Sequence, residues 1–259
     1  MTGVFMLRDN RIKQILTLLN QEGEVQVTQL CRLFNVTEMT IRRDLESLAQ
    51  QNILIRTHGG AFLATDDVLI EAPFEKRHKR NTEQKQAIAI KANEFIKSGA
   101  KIVMDSGSTT FTIASIISSS LRLAVLTNDL NIAIELNSRV RIDTTFAGGD
   151  VNKNTMACVG SSTIETIKNY RADIAFIGAS GVGHNGDFFT SRISQADIKR
   201  AMLSIASIKI MVVDSSKFAK NDYSLITDAS QLSYVITDSS ASAEIVEKII
   251  TAGAEVILV

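Results

Sequence analysis

The stretch VTEMTIRRDL, residues 36–45, predicts a short helix with one apolar face and one polar face. Thr37 precedes the helix and can accept a hydrogen bond from a free backbone N–H of the first turn. Ile41, Leu45 and Leu48 recur at helical spacing and form a buried stripe. The residues on the outward face or flanking it are Met39, Thr40, Arg42, Arg43, Glu46, Ser47 and Gln50. Such a helix fits a DNA major groove, and by itself it also fits an ordinary amphipathic helix with a solvated charged face.

The segments upstream of this stretch predict a helix-turn-helix. Residues 8–21 carry apolar residues at helical spacing, and Thr28 opens a second short helix. Asn35 and Val36 then form the turn into the third helix. Helix, short helix, tight turn and helix is the order of that motif.

The segment downstream predicts a hairpin that completes the domain. Residues 53–57 and 61–63 are β-prone runs on either side of Gly59 and Gly60. A hairpin after a recognition helix is a wing, whose tip can reach phosphates or a minor groove. Residues 1–63 are therefore predicted to form a winged helix-turn-helix domain. The predicted DNA contacts are Thr28, Thr37, Met39, Thr40, Arg42, Arg43, Arg56 and His58.

These residues resemble a known family. TIRRDL at 40–45, followed by a wing of pattern L-x-R-x-H-G-G-A at 54–61, is similar to the DeoR family of bacterial transcriptional regulators in residue identity and in spacing. The resemblance extends into the second domain. It implies a DNA-binding regulator, in this family most often a repressor, that controls an operon of carbohydrate metabolism.

Composition limits the mode of DNA binding. The chain has 259 residues, enough for two domains, and its 28 basic residues balance its 28 acidic ones. This balance argues against nucleic-acid binding along the whole surface. Residues 1–62 hold seven Arg or Lys against six Asp or Glu, so a single domain should bind DNA weakly. A homodimer or homotetramer on paired half-sites of double-stranded operator DNA is expected.

Cysteine usage and hydropathy predict a reduced, cytoplasmic protein. Cys31 and Cys158 lie in different predicted domains, without Cys or His neighbours at metal-ligand spacing. The three histidines are far apart in sequence, so neither a metal site nor a cofactor is expected. The sequence shows no signal peptide and no apolar run of transmembrane length, so no membrane partner is expected.

Residues 83–259 predict an α/β domain. Helices alternate with apolar strands, a pattern typical of a mainly parallel sheet covered on both faces. Residues 64–82, which include the single proline, Pro73, and a basic run at 76–80, are predicted to form a linker. The linker is either a solvated connector with Phe74 anchored on the second domain, or a segment that touches DNA or transmits a signal.

Small polar residues or glycines follow five successive predicted strands of this domain. Ligands of parallel sheets bind beyond the carboxyl ends of strands, where these residues converge. DSGSTT at 105–110 also opens a helix, and the free N–H groups of a helix start suit a phosphate. The loop lacks the ending of a Walker A motif, which argues against a nucleoside triphosphate. The predicted effector-binding residues are Asp105, Ser106, Gly107, Ser108, Thr109, Thr110, Thr127, Asn128, Asp129, Gly148, Gly149, Gly181, Lys199 and Lys217.

The family resemblance assigns roles within this set. It implies a sensor domain similar to ribose-5-phosphate isomerase and CoA-transferase folds, with a phosphorylated sugar or related metabolite as effector. The loop at 106–110 would hold the phosphate, Asn128 and the backbone at 148–149 would meet the sugar, and Lys199 with Lys217 would supply positive charge. The resemblance also directs Arg77 toward this pocket.

Two positions depart from the family pattern. Asp129 stands where Ser or Thr is usual, and Ser194 with Gln195 stands where a Glu is usual. These departures point to an unusual effector.

The rival hypothesis is an enzyme, a sugar-phosphate isomerase with an accessory DNA-binding domain. Isomerisation needs a positioned acid or base, for which Asp105 and Asp129 are candidates. No further carboxylate and lysine lie at a spacing that supports this reaction, so a non-enzymatic regulator is expected. A nonspecific architectural DNA-binding protein is disfavoured by the neutral charge and the large second domain.

Overall fold

A computed structural model of the chain describes residues 8–22, 24–50, 53–57, 59–63 and 71–259. The chain divides into two compact units, residues 1–70 and residues 71–259. The described residues of unit 1 form three helices and three short strands. Their bounds are α1 (Arg8–Glu22), β1 (Glu24–Gln26), α2 (Val27–Phe34), α3 (Glu38–Gln50), β2 (Leu54–Arg56) and β3 (Gly60–Leu63).

Unit 1 is the predicted winged helix-turn-helix. Ile41, Leu45 and Leu48 of α3 are buried with apolar residues of α1 and α2. Asn35 adopts the left-handed conformation that ends α2, and Thr37 Oγ1 accepts a hydrogen bond of 3.4 Å from the Thr40 N–H at the start of α3. The wing strands β2 and β3 pair as predicted. In addition β3 pairs with β1, which gives the sheet order β1-β3-β2.

Asp44, which lies inside the TIRRDL motif, joins two helices of unit 1. Its carboxylate is 2% exposed and accepts a hydrogen bond of 2.6 Å from Arg11 Nε on α1. Arg8 Nε donates a second hydrogen bond of 3.3 Å to the other carboxylate oxygen. A buried charge is costly unless paired, so this contact fixes α1 against α3. The two motif arginines beside it, Arg42 and Arg43, remain exposed.

Unit 2 is built on a seven-stranded sheet in which every paired neighbour is parallel, with the order β15-β14-β12-β9-β4-β5-β6. This confirms the predicted α/β class. The bounds are α4 (Phe74–His78), α5 (Thr82–Asn93), β4 (Lys101–Met104), α6 (Ser108–Ser115), β5 (Leu123–Thr127), α7 (Leu130–Asn137), β6 (Ile142–Phe146), β7 (Asp150–Asn152), β8 (Ala157–Val159), α8 (Ser161–Lys168), β9 (Ala172–Gly178), β10 (Gly181–Val182), β11 (Phe188–Thr190), α9 (Ile193–Ile205), β12 (Ala206–Val212), β13 (Ser224–Thr227), β14 (Tyr234–Thr237), α10 (Ala243–Thr251) and β15 (Glu255–Leu258).

Both faces of this sheet are buried. Alternate residues of one strand point to opposite faces, and in β9 Ala175 and Ile177 join one core cluster while Ile174 and Phe176 join the other. Helices cover the two faces, so the strands read as apolar runs. The strand order reverses at β4, which has β5 on one side and β9 on the other. That reversal marks the point where ligands bind in open α/β sheets.

The segment predicted as the second half of a linker belongs to unit 2. Residues 71–82 contain the short helix α4, and the Phe74 N–H donates a hydrogen bond of 2.8 Å to the Asn154 carbonyl. Phe74 is buried, stacks on His78 and meets the edge of Phe111 on α6. These aromatic contacts hold α4 on unit 2 through Phe74, although Glu75 and Lys79 on its outer side stay exposed.

Gly60 and Gly59 give a matched test of the wing. A Cβ at Gly60 would lie 2.0 Å from the Val25 carbonyl oxygen, whereas a Cβ at Gly59 would meet nothing within 4 Å. We predict that Gly60→Ala separates β3 from β1 and destabilises unit 1 by about 1–3 kcal/mol, as overpacking does. Hydrogen–deuterium exchange should become faster in the amides of β1 and β3 of this variant and stay unchanged in Gly59→Ala. Identical exchange in the two variants would contradict the close strand approach.

Candidate anion-binding site and helix-turn-helix surface

A cavity of about 420 Å³ lies in unit 2 beyond the carboxyl ends of the central strands β4, β9 and β12. Its floor is formed by residues that follow these strands. Other contributions come from α9, from α5 and from residues 71–81. The polar and glycine residues that line it are Glu71, Arg77, Arg80, Asn81, Lys85, Ser106, Gly107, Ser108, Thr109, Thr110, Gly178, Ser180, Thr190, Gln195, Lys199, Asp214, Ser216, Lys217 and Lys220.

The loop between β4 and α6 presents a helix start to this cavity. Gly107 is the N-cap of α6, and the first backbone bond of the helix runs from the Phe111 N–H to the Gly107 carbonyl. The preceding N–H groups therefore have no partner within the helix. Thr110 Oγ1 donates a hydrogen bond of 2.9 Å to the same carbonyl, which tightens the turn. The positive end of the helix dipole and these donors favour an anion.

Lys199 and Asp105 form a buried ion pair beneath the cavity. Lys199 Nζ donates a hydrogen bond to Asp105 Oδ2 and another of 3.1 Å to the Gly178 carbonyl. The Gly178 N–H in turn donates to Asp105 Oδ2 at 3.1 Å. Burial raises the pKa of the Asp105 carboxyl, while the Lys199 ammonium acts in the opposite direction. The pair ties β4, β9 and α9 together, and Lys199 lines the cavity while Asp105 does not.

The cavity carries an excess of positive charge. Its lining includes six cationic side chains and two carboxylates, those of Glu71 and Asp214. Burial lowers the pKa of Lys85 to about 8, and burial also lowers the pKa of Lys217. Lys85 Nζ donates to the carbonyls of Arg77 and Arg80, so it holds the end of α4 against α5. An anion is the ligand type that this arrangement favours.

Besides Asp105, six further predicted effector residues do not line this cavity. Asn128 Nδ2 donates to the Cys158 carbonyl at 2.8 Å, and the Asp129 carboxylate caps α7 by accepting hydrogen bonds from the N–H groups of Asn131 and Ile132. Burial raises the pKa of Asp129 to about 6. The prediction that all five strand ends converge on one cavity is wrong in this respect. The six residues are Thr127, Asn128, Asp129, Gly148, Gly149 and Gly181.

The sheet order and a hairpin explain this difference. β5 and β6 lie on the side of β4 that is away from β9 and β12, so their ends are displaced from the cavity. The hairpin of β7 and β8 covers them, since the Cys158 N–H donates to the Asn128 carbonyl. Gly149 allows its backbone to pack closely against α8, because a Cβ there would lie 2.1 Å from Thr163 Oγ1. Gly181 is equally crowded, with a Cβ position 2.4 Å from the Lys220 carbonyl oxygen.

Most of the cavity wall formed by residues 71–85 was not predicted from the sequence. The family resemblance directed Arg77 to the pocket, and Arg77 does line it. Arg80, Asn81 and Lys85 were not predicted, although the basic run at 76–80 is a local signal of positive charge. Asn81 Nδ2 donates to Asp214 Oδ1 at 2.8 Å, a contact across 133 positions that no sequence pattern indicates.

The outward face of α3 and the wing form one surface in unit 1. Met39, Arg42, Arg43 and Glu46 line a shallow depression together with Arg56 of β2. Met39 is 64% exposed, and Arg42 pairs with Glu38 one turn earlier. Arg43 has no hydrogen bond or ion pair within the described residues.

The other predicted DNA-contact residues differ in their exposure and in their hydrogen-bond partners. Arg56 pairs with Glu46 of α3 rather than extending freely from the wing. Thr37 and Thr40 share a hydrogen bond of 3.0 Å between their hydroxyls. Thr28 is exposed on α2, beside Gln29 and Arg32. His58 lies outside the described residues.

The described residues show neither a cluster that could hold a metal ion nor a helix that could span a membrane. Within the part of the chain that the structure describes, no group of three or more His, Cys, Asp or Glu residues is placed to hold a metal ion. Among the same residues, no helix combines the length and apolar character needed to cross a membrane.

Comparisons with known proteins match both units. Residues 11–67 match the family model of a DeoR-like helix-turn-helix domain, and residues 80–239 match that of the DeoR C terminal sensor domain. The chain is 32% identical to a putative aga operon transcriptional repressor of Escherichia coli O157:H7, over 96% of this chain and 93% of that protein. It is also 32% identical to the glycerol-3-phosphate regulon repressor of Escherichia coli (strain K12), over 90% of this chain and 92% of that protein.

Solved structures resemble the chain more remotely. A ribose 5-phosphate isomerase of Methanocaldococcus jannaschii aligns with a TM-score of 0.39 and 17% identity, over 53% of this chain and 55% of that chain.

The shifted pKa of Lys85 predicts a pH dependence of anion binding. Sulfate is a suitable probe, because its charge is constant from pH 7 to 9. A bound anion favours the charged ammonium, so affinity should fall as the pH rises through about 8 and Lys85 loses its proton. We expect a decrease of about tenfold between pH 7 and 9, measured by calorimetry.

Lys85→Arg is the control for this titration, because an arginine stays charged over the whole range. Its sulfate affinity should change much less with pH. A constant affinity of the unmodified protein from pH 7 to 9 would contradict the assignment of Lys85 to the anion site.

Proposed function

The chain belongs to the DeoR family of bacterial transcriptional regulators, and on this premise we propose that it represses an operon of carbohydrate metabolism until a phosphorylated sugar binds unit 2. The proposal includes a cytoplasmic location, a homodimer or homotetramer as the working unit, and double-stranded operator DNA as the partner. The two Escherichia coli proteins with 32% identity are named as repressors, one of them of a glycerol-3-phosphate regulon.

The cavity of unit 2 is the observation that carries the effector proposal. It combines a helix start at Ser108, five cations besides the paired Lys199, and a position at the reversal of strand order. A phosphate ester carries close to two negative charges at neutral pH and several acceptor oxygens. The N–H groups of α6 and the hydroxyls of residues 106–110 would bind the phosphate, and Lys217 would add charge.

The α3 surface supports the DNA-binding proposal. Arg43 is exposed, and an Arg side chain reads guanine in the major groove by two parallel hydrogen bonds. Asp44 keeps α3 in place from behind through Arg11. Since charges in residues 1–62 nearly cancel, two copies on paired half-sites are proposed to reach useful affinity.

Effector control is proposed to be a shift between two arrangements of the oligomer. A ligand moves such an equilibrium only by as much as its affinity differs between the two states. The phosphorylated sugar would therefore bind more tightly to the arrangement that fits the operator poorly. The sensor unit acts as a switch and not as a catalyst in this proposal.

The environment of two carboxylates supports a non-enzymatic role. Asp105 is engaged by Lys199 and the Gly178 N–H, and Asp129 caps α7. Neither lines the cavity. An isomerase needs an acid or base within hydrogen-bond reach of its substrate, and these two candidates do not offer one.

Arg43→Ala tests the DNA-binding surface. A duplex selected from a randomised pool with the full chain would serve as the probe. We expect the substitution to cost about 1–3 kcal/mol of binding to this duplex and to relax its sequence preference, because a base contact is lost. Fluorescence anisotropy measures both effects. Lys13→Ala, which removes an equal charge from an exposed site on α1, is the control and should change affinity far less. Equal affinities of native protein and Arg43→Ala would refute the base contact.

Thermal denaturation with a panel of phosphorylated sugars, each paired with its dephosphorylated form, tests the effector. A ligand at 100 times its Kd adds about 2.7 kcal/mol to the stability of the folded state. We expect stabilisation by at least one phosphate ester, none by its dephosphorylated partner, and release of the selected duplex by that ester. Lys217→Met should weaken the response, whereas Lys168→Met, at an exposed site on α8, should not. Stabilisation by the dephosphorylated sugars alone would overturn the proposal.

A further inference from the structure

The carboxylate of Glu71 occupies a built anion subsite inside the cavity. Glu71 Oε1 lies 2.7 Å from Arg77 Nη1, and Glu71 Oε2 accepts a hydrogen bond of 2.8 Å from Gln195 Nε2. Both carboxylate oxygens are therefore held by side chains of other elements. Glu71, Arg77 and Gln195 all line the cavity.

Gln195 is oriented to donate to a carboxylate. Its side-chain oxygen Oε1 accepts hydrogen bonds of 2.8 Å from Thr190 Oγ1 and 3.1 Å from Ser191 Oγ. These two hydroxyls fix the amide so that Nε2 faces Glu71, and Gln195 is only 6% exposed. A buried donor that has been oriented in this way needs an acceptor, because an unsatisfied buried polar group is costly.

Arg77 keeps binding capacity beyond its contact with Glu71. Its Nε donates to the Ala72 carbonyl at 2.9 Å, which fixes the guanidinium plane. Its Nη2 is buried and has no hydrogen-bond acceptor within the described part of the chain. A carboxylate that met Nη1 and Nη2 together would satisfy this atom in the bidentate geometry that arginine favours.

We propose that the effector is a phosphate ester that also carries a carboxylate, a phosphorylated sugar acid, and that its carboxylate replaces Glu71 on Arg77 and Gln195. This inference rests on the proposed function and specifies the ligand class of the same site. The phosphate binds at the start of α6, and the carboxylate takes the subsite that Glu71 occupies in the free protein. Besides the paired Lys199, five cations against two carboxylates in the lining suit a ligand with more charge than one phosphate carries.

Replacement of the Glu71 carboxylate by the ligand carboxylate has a consequence for regulation. Glu71 is the first residue of unit 2, and the chain continues from it toward unit 1. While its carboxylate is held, the start of the segment 71–81 is fixed at both Arg77 and Gln195. When the ligand displaces it, this anchor is lost. The effector carboxylate thereby changes the attachment of the chain that leads to the DNA-binding unit.

Calorimetry with two matched probes tests the proposal on the full chain. Glucitol 6-phosphate and 6-phosphogluconate differ at one end, where a hydroxymethyl group is replaced by a carboxylate. We expect 6-phosphogluconate to bind about tenfold more tightly, since its carboxylate makes charge-assisted hydrogen bonds that the alcohol lacks. Equal affinities of the two probes would overturn the inference while leaving the proposed function intact. Binding of neither probe, with no phosphate ester stabilising the protein, would overturn both.

Glu71→Gln distinguishes replacement of Glu71 from binding beside it. The neutral amide competes less well for Arg77, so this variant should bind 6-phosphogluconate about three- to tenfold more tightly than the native chain. Its affinity for glucitol 6-phosphate should rise by a smaller factor, because that ligand has no carboxylate to take the place of Glu71. Glu75→Gln, which removes an exposed carboxylate from the same segment, is the matched control and should leave both affinities unchanged.

Gln195→Glu provides the opposite change. A carboxylate at this position repels the ligand carboxylate, so the preference for 6-phosphogluconate should be lost while glucitol 6-phosphate still binds. An unchanged ratio of affinities in both Glu71→Gln and Gln195→Glu would overturn the assigned subsite. Thermal denaturation of each variant without ligand confirms that it is folded.

Discussion

The buried ion pair between Asp105 and Lys199 is the interaction on which the geometry of unit 2 depends. It joins the ends of β4 and β9 to α9, and the backbone of Gly178 completes it through both its N–H and its carbonyl. Desolvated charges of this kind are tolerated only when they are paired and hydrogen-bonded, so neither partner is free to move alone. The start of α6, which follows Asp105 directly, is held at the cavity as a result. The pair also removes one cation and one carboxylate from the chemistry available to a ligand.

The other charged side chains that line the cavity are mostly positive. One buried donor among them, Arg77 Nη2, has no hydrogen-bond acceptor within the described residues. Burial disfavours the charged forms of Lys85 and Lys217 and lowers the pKa of both, and an anion bound beside them would offset that cost. Unit 1 uses charge differently. The Asp44 carboxylate pairs with Arg11 inside the fold. Arg42 and Arg43 stay exposed on the outward face of α3. Each unit therefore buries one acid–base pair and leaves other cations at a surface, which we propose binds a small anion in unit 2 and DNA in unit 1. Residues 71–81 belong to the cavity wall and also begin the chain path to unit 1.

Much of the fold followed from local pattern. The apolar stripe of α3, the turn at Asn35 and the wing glycines were sufficient to predict the helix-turn-helix and wing of unit 1. The alternation of helices with apolar strands predicted the parallel sheet of unit 2. The candidate site followed only in part. The residues at 106–110, Lys199 and Lys217 line the cavity as expected, whereas Asn128 and Asp129 are used within the fold. Asp129 was predicted to bind the effector. Its carboxylate instead caps α7, a role typical of a short polar side chain that precedes a helix.

The sequence by itself determined the family through its motifs. It also determined the helix-turn-helix and the mainly parallel α/β class, because helix periodicity, strand alternation and glycine turns are set by neighbours along the chain. Only the tertiary structure decided which polar residues meet. The strand order placed the ends of β5 and β6 away from those of β9 and β12, and the packing of Phe74 on Phe111 brought Arg77 and Glu71 into the cavity. Those outcomes depend on contacts between residues that are far apart in sequence, such as Asn81 with Asp214 and Glu71 with Gln195. The free energy of such contacts comes from burial and pairing in the assembled fold, which no local pattern records.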